Sequence, residues 1–352
     1  MSHKASKKPL LFICLAFFEV SIVSGDPTAP REPATPSMNT PSFTSSTRPS
    51  SGCGATAQMA VQVLGSGGPL NAGGRASSSY LIWLEGRPAI VVDMGEGSAI
   101  NFARAGASPR DVDTILLSHL HPDHVSDLPG FLWSAQVIDR ARPLMIIGPT
   151  GNEYFPDTKT FMRRLFGAGG AFPVMQGLLS NNAAFHLDIK TIETKTVRSI
   201  TVLKRDNIEI SAYPVMHGHA PSLAYRIDRL GLRIVFAGDQ NGLDPGFASF
   251  ARNADILVLH TALSPLAENH PFAKVIGLPD HLGKLAADAN AKKVILSHLM
   301  ALPANDASAA DFSLANPKAL LKSVRDVYRG ELSLASDLDC FSVTRQDSRG
   351  HP

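Results

Sequence analysis

Within LLSHLHPDH, Leu116–His124, three histidines and an aspartate fall inside six positions directly after an apolar run. No other feature of the chain restricts its fold as strongly. An apolar run that ends in polar groups reads as a buried strand delivering side chains to the rim of a sheet, where rigid scaffold meets solvent. His119 and His121 alternate along an extended segment and so can project to one side, while Asp123 and His124 follow the turn at Pro122. Imidazole and carboxylate in this mixture suit zinc and related divalent cations. Four donors cannot fill two coordination spheres, so others must come from elsewhere. Candidates stand at the ends of further apolar runs: His217 and His219 after YPVM, Asp239 after VFAG, and His298 after VILS.

The segments around these residues alternate between short β-rich runs and helical stretches. AVQVLGSG, SYLIWLE, PAIVVDMG and DTILLS read as strands, followed later by NIEISAYPVMH, LAYRID, LRIVFAGD, DILVLH and KKVILSH. SAINFARAGA and LGKLAADAN read as helices. This order predicts an α/β fold in which sheets are covered by helices.

Taken together, VLGSGGP, DMGEGS, SHLHPDHVSDLPGFL, the HG…LAYRI segment, FAGD and LSHL resemble the metallo-β-lactamase fold superfamily, and within it the ribonuclease Z-like branch. The resemblance runs from about residue 61 to residue 300 and implies an αβ/βα sandwich of two mixed sheets flanked by helices. It also implies two divalent ions, zinc first, with manganese or iron as alternatives. Carried over by motif, His119, His121 and His217 would bind one ion, Asp123, His124 and His298 the other, and Asp239 would bridge both. His217 is preferred to His219 because the family places its ligand directly before Gly and ahead of a Tyr-Arg pair, here Tyr225 and Arg226. Asp93 reads either as a buried group orienting ligand histidines or as turn chemistry. Two such ions lower the pKa of a shared water and polarise an ester, so the implied activity is hydrolysis, with Asp123 orienting the nucleophile.

The chain departs from its relatives where ribonuclease Z carries His-Glu-Ala-Thr. Here the residues are HTAL, His260–Leu263, and the family's later His-Ser-Thr aligns with about Ile276–Leu278. A leaving group of high pKa would then lack its general acid. His260, His270 and His281 are candidate substitutes, or else structural and exposed residues. The expected substrate is a small-molecule phosphodiester or aryl sulfate. A lactone or β-lactam is the alternative, as is a non-catalytic, metal-stabilised binding protein. Residues 148–182, rich in Gly, Pro and aromatics, read either as a flap over the metal site or as ordinary packing helices with loops.

The ends of the chain differ from its middle. Three lysines precede PLLFICLAFF and the small residues of SIVSG, the pattern of an export signal over residues 1–25. A Pro/Ser/Thr-rich linker is expected over 26–56 and the hydrolase domain over 57–345. Removing the signal takes three lysines and one glutamate from a formal net charge of +2, leaving a nearly neutral chain with no electrostatic footprint for nucleic acid. The apolar run is too short to span a bilayer comfortably. The expected location is periplasmic or secreted, where Cys53 and Cys340 either pair or remain separate thiols. A homodimer is compatible with all of this.

Overall fold

The computed structural model describes residues 52–344 except 71, 181, 182 and 184, so the expected signal and nearly all of the expected linker lie outside the described residues. Among the described residues fourteen strands form: β1 (Met59–Gly65), β2 (Ser79–Leu84), β3 (Arg87–Val92), β4 (Thr114–Leu116), β5 (Leu144–Pro149), β6 (Leu187–Ile192), β7 (Ile200–Arg205), β8 (Ile208–His217), β9 (Ala220–Arg229), β10 (Leu232–Phe236), β11 (Ile256–His260), β12 (Lys293–Ser297), β13 (Glu331–Leu334) and β14 (Cys340–Val343). The helices are α1 (Ser98–Arg104), α2 (Pro122–Val125), α3 (Leu128–Val137), α4 (Thr158–Phe166), α5 (Pro245–Phe250), α6 (Pro279–Asp288) and α7 (Pro317–Val327).

Two seven-stranded sheets result, ordered β14-β1-β2-β3-β4-β5-β6 and β13-β12-β11-β10-β9-β8-β7. Each is mixed. In the first, β14, β1, β2 and β3 pair antiparallel and β3 to β6 parallel; in the second, β7 to β10 pair antiparallel and β10 to β13 parallel. Strand alternation explains the layering, because successive side chains point to opposite faces. Val61, Val63, Tyr80 and Ile82 from one sheet meet Ile210, Tyr225, Ile227 and Ile234 from the other in a central core. The opposite faces bury Leu81, Val91 and Ile115 against α1, α3 and α4, and Leu257, Leu259 and Val294 against α5, α6 and α7. This is the expected αβ/βα sandwich.

Five strands escaped the sequence reading: β5, β6, β7, β13 and β14. LMIIGP is short and closes on Pro, and the others sit toward the sheet edges with mixed polarity, where periodicity is weakest. Cys53 and Cys340 form a disulfide, with Cα atoms 5.6 Å apart, which ties the turn before β1 to β14. Residues 148–182 divide between their two readings. Met162 and Phe166 of α4, with Met175 and Leu178, are buried against the first sheet as ordinary packing, whereas Tyr154 and Phe155 line a cavity over the histidines. Among the described residues no helix is long and apolar enough to cross a membrane.

Candidate metal centre

Both sheets present their polar strand ends on the same rim. After β4 the chain runs through Ser118 to His119 and His121, and Pro122 then starts the one-turn helix α2 that carries Asp123 and His124. His217 is the last residue of β8 and His260 the last of β11, while Asp239 and His298 follow β10 and β12. Parallel register levels the second sheet's contribution: Phe236 pairs with Val258, Val258 with Ile295, and His260 with Ser297.

Two donor groups emerge, one of His119, His121 and His217, the other of His124, Asp239, His260 and His298. In the first, His121 Nδ1 lies 2.9 Å from His119 Nε2 and 3.3 Å from His217 Nε2. In the second, Asp239 Oδ2 lies 3.3 Å from His298 Nε2 and 3.8 Å from His124 Nε2. Asp123 Oδ2 closes that face at 3.2 Å from His298 Nε2 and 3.4 Å from His124 Nε2. Asp239 Oδ2 also reaches His217 Nε2 at 3.5 Å, so one carboxylate joins the groups. The structure therefore gathers all seven residues expected from the sequence. His219 stands apart: it is exposed, with its ring against Tyr154 and its carbonyl accepting from Asn152.

These donors fit divalent ions. Two nitrogens about 2.0–2.1 Å from a tetrahedral zinc would stand roughly 3.3 Å apart, close to the spacings here. In three of the histidines the nitrogen turned away from the other donors is engaged. His124 Nδ1 donates to Asp93 Oδ2 at 2.8 Å, His217 Nδ1 to the Val275 carbonyl at 3.3 Å, and His119 Nδ1 faces Ser118 Oγ at 3.0 Å. Ligand histidines are commonly held this way, with the far nitrogen engaged and the near one directed at the ion. His124 Nε2 is buried without a hydrogen-bond partner, a group that a cation would satisfy.

Of the two readings open for Asp93, its contacts select the orienting one. It accepts from Ser118 N and Oγ, both at 2.7 Å, and from His124. From the sequence His260 is either a candidate substitute for the missing acid or an ordinary structural residue, and the structure gives it a further role. His260 Nδ1 lies 2.5 Å from Asp239 Oδ1 and Nε2 3.0 Å from the Tyr80 hydroxyl, all buried. Tyr80 donates to Nε2 and Nδ1 donates to Asp239, so both ring nitrogens are engaged and His260 braces the carboxylate. DILVLH, an apolar run ending in His, carries the same signal as VILSH and could have marked it. His270 is local, its Nδ1 capping the turn at Phe272 N, and His281 is in neither donor group.

Charge is distributed unequally. Burial opposes ionisation of His124, but Asp123, Asp93 and Asp239 outweigh it and hold the imidazole well above its ordinary range. His298 is raised against its burial by Asp239 and Asp123. Burial, then His124, pushes His119 well below its usual value, and burial lowers His121 and His260 as well. Both carboxylates resist the upward push of burial: His298 and His124 hold Asp239 well below the ordinary range, and His124 and His298 do the same for Asp123. Cation binding at the second group must therefore displace protons from His124 and His298.

Backbone geometry is specialised at two points. Asp93 (φ 57°) and His298 (φ 58°) adopt the left-handed conformation, unfavourable by about 1–2 kcal/mol for residues with a Cβ, one on each sheet. Gly68 allows His298 its place, because a Cβ there would lie 2.6 Å from the imidazole Cε1. A cavity of about 730 Å³ opens at the donors, lined by His121, Asp123, His217, Asp239 and His298 and by apolar groups that include Phe155, Phe272, Val275 and Ile276.

A family model described as the metallo-beta-lactamase superfamily matches residues 72–245. The chain is 31% identical over 186 residues to a Ribonuclease Z of Mycobacterium sp. (strain KMS), a match covering 51% of this chain and 60% of that relative's length. It is 30% identical over 242 residues to the Ribonuclease Z of Mycobacterium bovis (strain BCG / Pasteur 1173P2), covering 66% of this chain and 81% of that one. Among solved structures, human tRNase Z, short form, superposes with a TM-score of 0.62 at 20% identity, covering 81% of this chain and 100% of the other, a likeness of fold. With the sandwich and its rim of histidines, these matches show that the chain belongs to the metallo-β-lactamase superfamily.

Proposed function

We propose that this protein is an exported hydrolase of small anionic esters, phosphodiesters or aryl sulfates, working with two divalent metal ions, zinc first and manganese or iron as alternatives. The observation that carries this reading is the meeting of two donor groups at Asp239 on the floor of an open cavity. His119, His121 and His217 would hold one ion, Asp123, His124 and His298 the other, with Asp239 shared. Ions so held would supply a lowered pKa for bound water and polarisation of an ester. The chain's own residues do the rest. Asp93 fixes the tautomer of His124, Val275 that of His217, and the Tyr80–His260 pair holds Asp239. Asp123, more exposed than Asp239, would accept a hydrogen bond from the incoming water and orient it.

Two observations support a small substrate. The cavity volume lies within the roughly 300–1,000 Å³ common for small-molecule sites, and its described lining residues include no lysine or arginine to grip a polyphosphate backbone. The relatives named Ribonuclease Z favour a second reading, cleavage of an RNA precursor. Against it stand Thr261 and Ile276, at positions where the resemblance expects the glutamate of one relay half and about the histidine of the other. Export is supported by the Cys53–Cys340 bridge, since such bonds persist in oxidising compartments. Amino-terminal sequencing of protein recovered from periplasm or medium should begin after Gly25.

The test is metal analysis of the purified protein, joined to assays of bis(p-nitrophenyl) phosphate, p-nitrophenyl sulfate, an acyl-homoserine lactone, nitrocefin and a precursor transfer RNA, each with and without zinc or manganese. Metal-dependent turnover of one of the first two is expected. Turnover of the RNA alone, or none at all with two ions bound, overturns the proposal.

A further inference from the structure

The cavity is two-faced. Besides its histidine and aspartate floor, the cavity has an apolar wall of Phe272, Val275, Ile276 and Met300, with Tyr154 and Phe155 also lining it. This wall is built into the fold. Ile276 and Met300 are buried members of a separate apolar cluster with Leu263, Leu278 and Phe312, against which Val275 packs. His270 fixes the turn into the wall by accepting from Phe272 N at 3.2 Å. The Val275 carbonyl holds His217 Nδ1, so the wall is registered directly to the floor.

Part of the apolar surface remains wet: Phe272 is 47% exposed and Tyr154 60%. Water on such surface is unfavourable, a loss that a ligand covering it would recover. A polar substrate offers nothing to cover it.

We infer that the wall is the specificity determinant of this site and that it selects an anionic ester bearing a bulky apolar organic group, an aromatic ring or its aliphatic equivalent. The inference rests on the hydrolase reading for the floor, but the wall's preference is measurable without turnover. The charged centre sits at the floor; the organic group lies against Phe272, Val275 and Ile276. A cavity of about 730 Å³ accommodates a phosphoryl or sulfuryl centre together with an aromatic group.

Titration calorimetry on the zinc-loaded protein tests this with phenylphosphonate and methylphosphonate, which share a head group and differ only in the organic part. Phenylphosphonate should bind at least about tenfold more tightly, the low end of discrimination by a hydrophobic pocket. Phe272→Ala should reduce that ratio to about threefold or less and Phe272→Leu should keep most of it; Ile276→Ala gives a second reduction from a different point on the wall. A ratio near one in the native protein, or one that Phe272→Ala and Ile276→Ala both leave intact, overturns the inference. The ratio of kcat/KM for bis(p-nitrophenyl) phosphate over methyl p-nitrophenyl phosphate, which share a leaving group, should follow the same order. Selective phenylphosphonate binding with no ester turnover would sink the hydrolase reading and support the wall; efficient turnover of both esters at equal rates would do the reverse.

Discussion

The rim of the first sheet and the rim of the second supply donors in opposite ways. On the first, four donors come from His119–His124, set by one extended segment and one helical turn, with Asp93 from the neighbouring strand behind them. On the second, each strand delivers one group: His217 from β8, Asp239 from β10, His260 from β11 and His298 from β12. Backbone geometry alone brings the first set together. The second set exists only if strand register is right, because a slip by one residue would turn every side chain to the other face. Charge does not follow this division: each rim carries one raised histidine, His124 on the first and His298 on the second, both beside Asp239, and lowered ones, His119 and His121 on the first and His260 on the second.

The largest effect should come from the residue shared by both groups. Asp239→Ala is expected to release metal from both, so that mass spectrometry of dialysed protein finds less than one ion per chain and ester turnover falls by more than about 100-fold, the usual ceiling for residues that merely support a ligand. Retention of two ions would break the idea that the rims meet at this carboxylate.

Support residues should weigh equally on the two sides. Asp93→Asn removes a charged acceptor from His124, and His260→Ala removes the brace on Asp239. Each is expected to weaken metal affinity by about 10- to 100-fold in competition with a chelator. A loss confined to Asp93→Asn would show that His260 is ordinary core packing and that only the first rim is braced.

A smaller and one-sided effect is expected from Gly68→Ala, whose methyl would crowd the His298 ring. The second of two chelator-titrated ions should be lost more easily while the first is unchanged. Equal weakening of both would mean that the groups are not separable.

The smallest effect is on stability. In metal-stripped protein, His124 and His298 have raised folded pKa values, so the stability they contribute is present below their unfolded pKa of about 6.5 and is lost as pH climbs through the raised values. His119, His121 and His260 are lowered and buried neutral, which removes stability as pH falls below about 6.5. Thermal midpoints should therefore peak near pH 6.5 and decline on either side. A midpoint that rises steadily from pH 6.5 to 9 would contradict the raised values.

Much of this site was legible in the sequence, for an identifiable reason. Apolar runs ending in His or Asp signal strand termini wherever they occur, and SHLHPDH, VMH, FAGD and VILSH each ended a strand on the same rim. His260 carries the same signal, but nothing local distinguishes a ligand from the brace of a ligand. The edge strands β7, β13 and β14 were hidden for a different reason: partial exposure blurs the alternation that marks a strand.

What the sequence determined by itself is the donor inventory and the layered α/β class, since both follow from residue type and from periodicities that act over a few neighbours. Tertiary structure alone decided the roles. Whether Asp93 turns a corner or holds His124, whether His260 is idle or braces Asp239, whether Cys53 meets Cys340, and which face of residues 148–182 sees the cavity all depend on atoms distant along the chain. Those contacts are fixed by the packing of one sheet against the other, an interaction that no local stretch of sequence contains.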